Sequence, residues 1–202
     1  MIKMYLIRHS LTKGNTLGSY IGRGTDEPLC EEGIRLLEGR QYPTAEAIFV
    51  SPMIRCVQTS SILYPRQGVH IIDELAECDF GEFENKSYDE LKEDENYLEW
   101  LDSRGMLPFP GGEGRNEFAM RCQRGFVRCV GYCLKNHITT AAVIAHGGTI
   151  MSILDKYAVP HKDFYHWQLK NAEGYEIGID SENWTDIKKE LQVIERFGKE
   201  IG

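Results

Sequence analysis

The chain has 202 residues, 42% of them hydrophobic and 27% charged, with 23 Lys and Arg against 31 Asp and Glu and a formal net charge of −8. That length suits one sizeable core, and the composition excludes a disordered, collagen-like or coiled-coil protein. The acidic balance excludes a general nucleic-acid binder, which needs a basic face to displace counterions from phosphates.

No apolar run approaches the roughly 20 residues that span a bilayer, and the apolar start at Met1–Ile7 is too short for a signal-peptide core, so neither a membrane nor a nucleic acid is an expected partner and a cytoplasmic location is expected. The cysteine spacings show no CxxC or paired Cys/His pattern, so no metal and no disulfide framework is expected. Cys122, Cys129 and Cys133 share one helical face and read as small core residues.

In chain order, short apolar runs at 4–7, 45–50, 69–72 and 141–145 read as buried strands. Between them, 31–40, 52–63, 88–101, 115–134 and 149–157 carry helical periodicity. Ser51-Pro52 reads as an N-cap and first-turn proline, and Ser87 with Glu90 as a capping box. Residues 175–179 read as a strand, and 187–197 as either helix or strand. The alternation predicts a single α/β domain over residues 1–202 with a mostly parallel sheet.

In such sheets ligands bind beyond the carboxyl ends of the strands. The predicted strand ends deliver Arg8-His9, then Ser51 to Arg55, then the acidic stretch from Glu74 to Glu84, then His146-Gly147-Gly148. Two arginine forks can surround the oxygens of a phosphoryl group, a neutral imidazole can hold that group covalently, and a glycine pair lets backbone approach it closely. A carboxyl group is needed to protonate the leaving oxygen; Glu77 and Asp79 lead the candidates, with Glu74, Glu82 and Glu84 behind. Phe164, Tyr165 and Trp167 read as core and pocket wall, and His70, His137, His161 and His166 as surface or structural.

Six ordered stretches resemble a known family. Residues 6–15, LIRHSLTKGN, are similar to the RHGExxxN signature of the histidine phosphatase (phosphoglycerate mutase-like) superfamily. Asp26 to Leu29, with Gly33, resembles DxPLTxxG; SPMIRCVQT at 51–59 resembles SPLxRAxQT; residues 75–84 resemble LxExxFGxWEG; Pro110 to Glu113, with Glu117 and Arg121 beyond, resembles a PGGES helix entry; and 145–148 resembles the late HGG.

The resemblance implies a three-layer α/β sandwich, with His9 as phosphorylated nucleophile and Arg8, Arg55 and protonated His146 around the phosphate. It further implies Asn15 and Gly147 as phosphate contacts, Glu77 as proton donor, and no metal or cofactor. Ser10 and Leu11 replace the family's Gly and Glu, which alters the expected wall beside the nucleophile; Gly14 replaces its Trp, and WEG becomes Phe83-Glu84-Asn85. The expected activity is hydrolysis of a small-molecule phosphate monoester, such as α-ribazole phosphate or a sugar phosphate. Phosphoglycerate mutase is the alternative, and a catalytically silent phosphate-binding protein a third.

Residues 73–102 hold thirteen acidic side chains and two lysines, so the negative charge is concentrated there. Residues 74–115 are a candidate lid or cap, and if the acidic stretch borders the pocket mouth it disfavours polyanionic substrates. Oligomeric state is open.

Overall fold

The computed structural model describes residues 1–185 and 187–198. Six strands form one sheet: β1 (Ile2–Arg8), β2 (Ala47–Val50), β3 (Val69–Ile71), β4 (Thr140–Ala145), β5 (Gly174–Ile179) and β6 (Gln192–Phe197). Their spatial order is β3-β2-β4-β1-β5-β6. The neighbours β3, β2, β4 and β1 run parallel, whereas β5 pairs antiparallel with β1 and with β6. The segment at 187–197 thus resolves to a strand over Gln192–Phe197.

Alternation along the strands builds two cores. Met4 and Leu6 of β1, Phe49 of β2 and Val143 of β4 face one side, where they meet Phe126, Cys129, Val130 and Cys133 of α6 (Arg115–Lys135) and Ile150, Ile153 and Leu154 of α7 (Gly147–Tyr157). Tyr5, Ile7, Ile48, Val50 and Ile144 face the other, against Cys56 of α3 (Ile54–Leu63). A side-chain period of two on strands covered on both faces gives the expected three-layer sandwich. Cys122 lies in a separate apolar cluster, so the three cysteines are core residues divided between two cores.

That separate cluster belongs to the segment between β3 and α6. Phe83, Leu91, Tyr97 and Phe109 pack with Phe118 and Cys122 of α6. The helix expected over 88–101 is two short helices, α4 (Tyr88–Leu91) and α5 (Glu95–Asp102). Asp94 breaks the run because its side chain accepts from the Tyr97 N–H and starts a new helix. The Ser87–Glu90 capping box forms as read. Trp167 joins the main core, but Tyr165 is 61% exposed and the Arg115 guanidinium stands 4.7 Å over the Phe164 ring.

The start of α3 differs from expectation. Met53 is its N-cap, and the Ile54 N–H donates at 2.7 Å to Asp26 Oδ1 from a distant loop. Ser51 is freed for another partner, described below. Two short helices, α1 (Lys13–Thr16) and α2 (Glu31–Glu38), complete the connection from β1 to β2. Among the described residues no helix is long and apolar enough to cross a membrane.

Candidate active site

The carboxyl ends of β1, β2 and β4 meet at the centre of the sheet, and α7 begins there. His9 follows β1 and is 3% exposed. Its Nδ1 lies 2.7 Å from the Ser10 carbonyl, which can only accept, so Nδ1 carries the proton and Nε2 keeps its lone pair. Burial, with the charges of Arg55 and Arg8, holds the imidazole well below its ordinary pKa of 6.5. A neutral ring with a fixed tautomer is the form able to attack phosphorus.

His146 follows β4 and is the N-cap of α7, with its ring 5.1 Å from that of His9. Burial, Arg55, His9 and Arg8 push it well below 6.5 as well. Burial and the two guanidiniums thus favour the neutral ring in the free protein, whereas the protonated His146 expected from the sequence is a state with phosphate bound. Its Nε2 sits 2.7 Å from Ser51 Oγ, which also receives the Met53 N–H at 3.4 Å. The hydroxyl can give its hydrogen to Nε2 or take one from it, so the contact holds the ring in either protonation state. Ser51 thus orients His146 instead of capping α3.

Arg55 is completely buried although it lies in the first turn of α3. Its Nη1 donates to the Thr25 carbonyl at 2.9 Å and its Nη2 to the Gly22 carbonyl at 3.0 Å. Arg8 anchors through Nη1 to the Leu169 carbonyl at 2.6 Å. The Nε atoms of both arginines are buried without a hydrogen-bond partner. A Cβ placed on Gly147 would stand 3.5 Å from Arg8 Nε, so this donor lies at the N-terminus of α7, where backbone N–H groups also favour an anion.

Glu77 completes the group. Its side chain reaches Gly148 so closely that a Cβ there would be 2.7 Å from Oε1, which is why the second glycine is needed. Burial raises the Glu77 pKa above its ordinary 4.5, opposed by the Cys78 N–H and by Arg55 and Arg8. The backbone that carries it is held by Arg121 of α6, which donates to the carbonyls of Glu74, Ala76 and Glu77 at 2.9–3.1 Å and pairs with Glu113 at 2.6 Å. Gly81, at φ +51°, and Gly112 press backbone on backbone beside it, since added Cβ atoms would lie 2.1 Å from the Pro110 carbonyl and 2.4 Å from the Asp79 carbonyl.

The other carboxylates have structural partners. Asp79 Oδ1 accepts from the Gly81 N–H, Glu74 pairs with Arg128, and Glu84 accepts from Gly22, Gly24, Thr25 and Phe80. Glu84 thereby braces the loop whose carbonyls hold Arg55, and Glu82 is exposed. Asn15 closes the α1 capping box, and its Oδ1 accepts from Thr12 and from Asn171 at 3.0 Å. Ser10 is not a wall beside the nucleophile: its hydroxyl donates to the Gly33 carbonyl at 2.7 Å, turned toward α2. Three contributors were not legible in the sequence: Ser51 as partner of His146, Arg121 as support of Glu77, and Asn171, whose Nδ2 lies 3.2 Å from the His9 carbonyl and 3.3 Å from that of Ser10.

Residues 4–189 match the family model of the histidine phosphatase superfamily (branch 1). The chain belongs to the histidine phosphatase superfamily. Among relatives, it is 28% identical over 181 residues to the adenosylcobalamin/alpha-ribazole phosphatase of Escherichia coli, covering 83% of this chain and 85% of that one. It is 26% identical over 155 residues to phosphoserine phosphatase 1 of Hydrogenobacter thermophilus, covering 72% and 71%. The alpha-ribazole phosphatase structure from Shigella flexneri superposes with a TM-score of 0.78 at 24% identity, over 96% of this chain and 95% of that one, which shows the shared fold. The overall fold is thus shared with that phosphatase structure.

Proposed function

We propose that the chain hydrolyses small phosphate monoesters through a phosphohistidine on His9. One observation carries this reading: two buried guanidinium Nε–H donors, from separate chain segments and without partners, stand beside a neutral imidazole and a carboxyl group raised toward its protonated form. An unmatched buried donor costs about 1–3 kcal/mol, more when charged, and phosphoryl oxygens would supply the missing acceptors.

In the first step His9 Nε2 attacks phosphorus, the P–O ester bond breaks, and the Glu77 carboxyl proton goes to the leaving oxygen. Arg8, Arg55, the Gly147 N–H and His146 bind the equatorial oxygens as charge spreads over them, with Asn15 at the edge. A dianion beside His146 raises its proton affinity, so the ring that is neutral in the free protein can bind as a cation once the phosphoryl group arrives. In the second step water attacks phosphorus while the Glu77 carboxylate takes its proton. The P–N bond breaks, and its electron pair returns to Nε2. The arginines supply the positive charge for both steps.

The relatives named as phosphatases of α-ribazole phosphate and phosphoserine support a monoester with a small polar leaving group. A phosphoglycerate mutase would share the first step and return the phosphoryl group to bound product. Orthophosphate release from an aryl phosphate and from α-ribazole phosphate, measured beside isomerisation of 3-phosphoglycerate, separates them: release with no isomerisation is expected, and isomerisation without release contradicts the proposal.

A further inference from the structure

Arg8 lies in two places at once. Its Nε lies beside Gly147, while its Nη1 is fixed to the Leu169 carbonyl in the wall of a second cleft of about 860 Å³. That cleft runs between the first loop, the end of α2, the loop at 168–173 and β6, and it brings together Arg40, Lys170 and Arg196 with Arg8. Its one carboxylate, Glu173, is 4% exposed and already engaged through Oε2, which takes the Lys170 N–H at 2.9 Å and the guanidinium of Arg196. Arg40 is anchored at the rim through the Ala172 carbonyl at 3.2 Å, and the exposed Lys170 ammonium has no hydrogen-bond partner among the described residues. Four cations against one carboxylate make this a basic hollow in a chain of net charge −8.

We infer that this cleft is a second anion-binding site, taking a small di- or trianion built from carboxylate or phosphate groups. Lys170 and Arg40 supply the accessible donors, and Arg196, held by Glu173, lends its charge to the same space. Because Arg8 contributes its charge to both places, a free anion in the cleft competes for that charge and repels a phosphate ester at His9, so its occupancy raises KM more than it lowers kcat. The same chemistry can come from a free metabolite or from a second anionic group on the substrate itself.

Citrate, a trianion without phosphorus, is the probe. Calorimetric titration needs no turnover, so it stands or falls apart from the hydrolase reading. Wild type should bind citrate, Lys170→Glu should weaken it at least tenfold, and Lys135→Glu, the same charge change at the far end of α6, should leave it within twofold. No citrate binding by wild type, or equal weakening by both variants, overturns the inference. Kinetics then identify the source: if Lys170→Glu lowers kcat/KM for a carboxylate-bearing phosphate ester and spares an aryl phosphate, the cleft takes the substrate's own second anion. If both esters are spared while citrate affinity falls, it takes a free one.

Discussion

His9 and His146 stand ring to ring at 5.1 Å beside two guanidiniums, and that setting fixes their protonation before any ligand arrives. With Glu77 raised above 4.5 and His9 held well below 6.5, kcat/KM should fall on the acid side as His9 takes up a proton and on the alkaline side as Glu77 loses one. Glu77→Gln should therefore remove the alkaline limb from the pH profile. It should also lower kcat/KM by about 100-fold or more on an alkyl phosphate, and much less on a nitrophenyl phosphate, whose leaving group needs no proton. A retained alkaline limb would assign the acid elsewhere. The site is legible at this scale wherever a residue's role follows from its place at a strand end: Arg8, His9, Arg55 and His146 all stand where the strand pattern puts them. Ser51, Arg121 and Asn171 are not, because each acts by contacting a group 44 or more residues away, and local pattern carries no trace of such a contact.

At the scale of elements, the turn at 110–113 and the 3₁₀ segment at 81–83 touch backbone to backbone, and α6 grips the chain leading into Glu77 through Arg121. Arg121→Leu would strand the Glu113 carboxylate and three carbonyls, a loss of about 3–5 kcal/mol in urea unfolding if the pair behaves as a buried one. Gly148→Ala is milder for the fold but drives a methyl to 2.7 Å from Glu77 Oε1 and 3.1 Å from the Phe118 ring; kcat should drop sharply, with a smaller loss of thermal stability than in Arg121→Leu. An unchanged kcat in that variant would mean that Glu77 has room to move without consequence. The helix break at Asp94 and the remote cap from Asp26 explain why element boundaries here were less readable than element types. Both depend on which side chain wins an N–H, and Ser51 lost α3 to Asp26 because His146 holds it.

Across the whole molecule, the fold was readable because apolar strands covered on both faces leave few alternatives to a parallel α/β sheet, whereas the antiparallel β5–β6 edge has no such signature. The buried histidines also tie stability to pH. His9 and His146 resist protonation when folded, while in the unfolded chain they take up protons near 6.5. Their contribution is thus complete above that pH and is lost as pH falls below it, by up to about 1.4 kcal/mol per pH unit for each ring. Tm should decline on acidification below 6.5, and less steeply in a His146→Gln variant; parallel curves would place the acid sensitivity elsewhere. The acidic stretch at 73–102 makes internal contacts through Glu74, Glu77, Asp79, Glu84, Glu90 and Asp94, and of these Glu74 is offset by a cation, Arg128. The central claim is the covalent step on His9. Rapid acid-free quenching during turnover of a ³²P-labelled monoester should trap label on the protein that is stable to alkali, labile to acid and absent in His9→Ala; label that persists in His9→Ala, or turnover with no labelled protein in wild type or in a Glu77→Gln variant slowed at the second step, would contradict it.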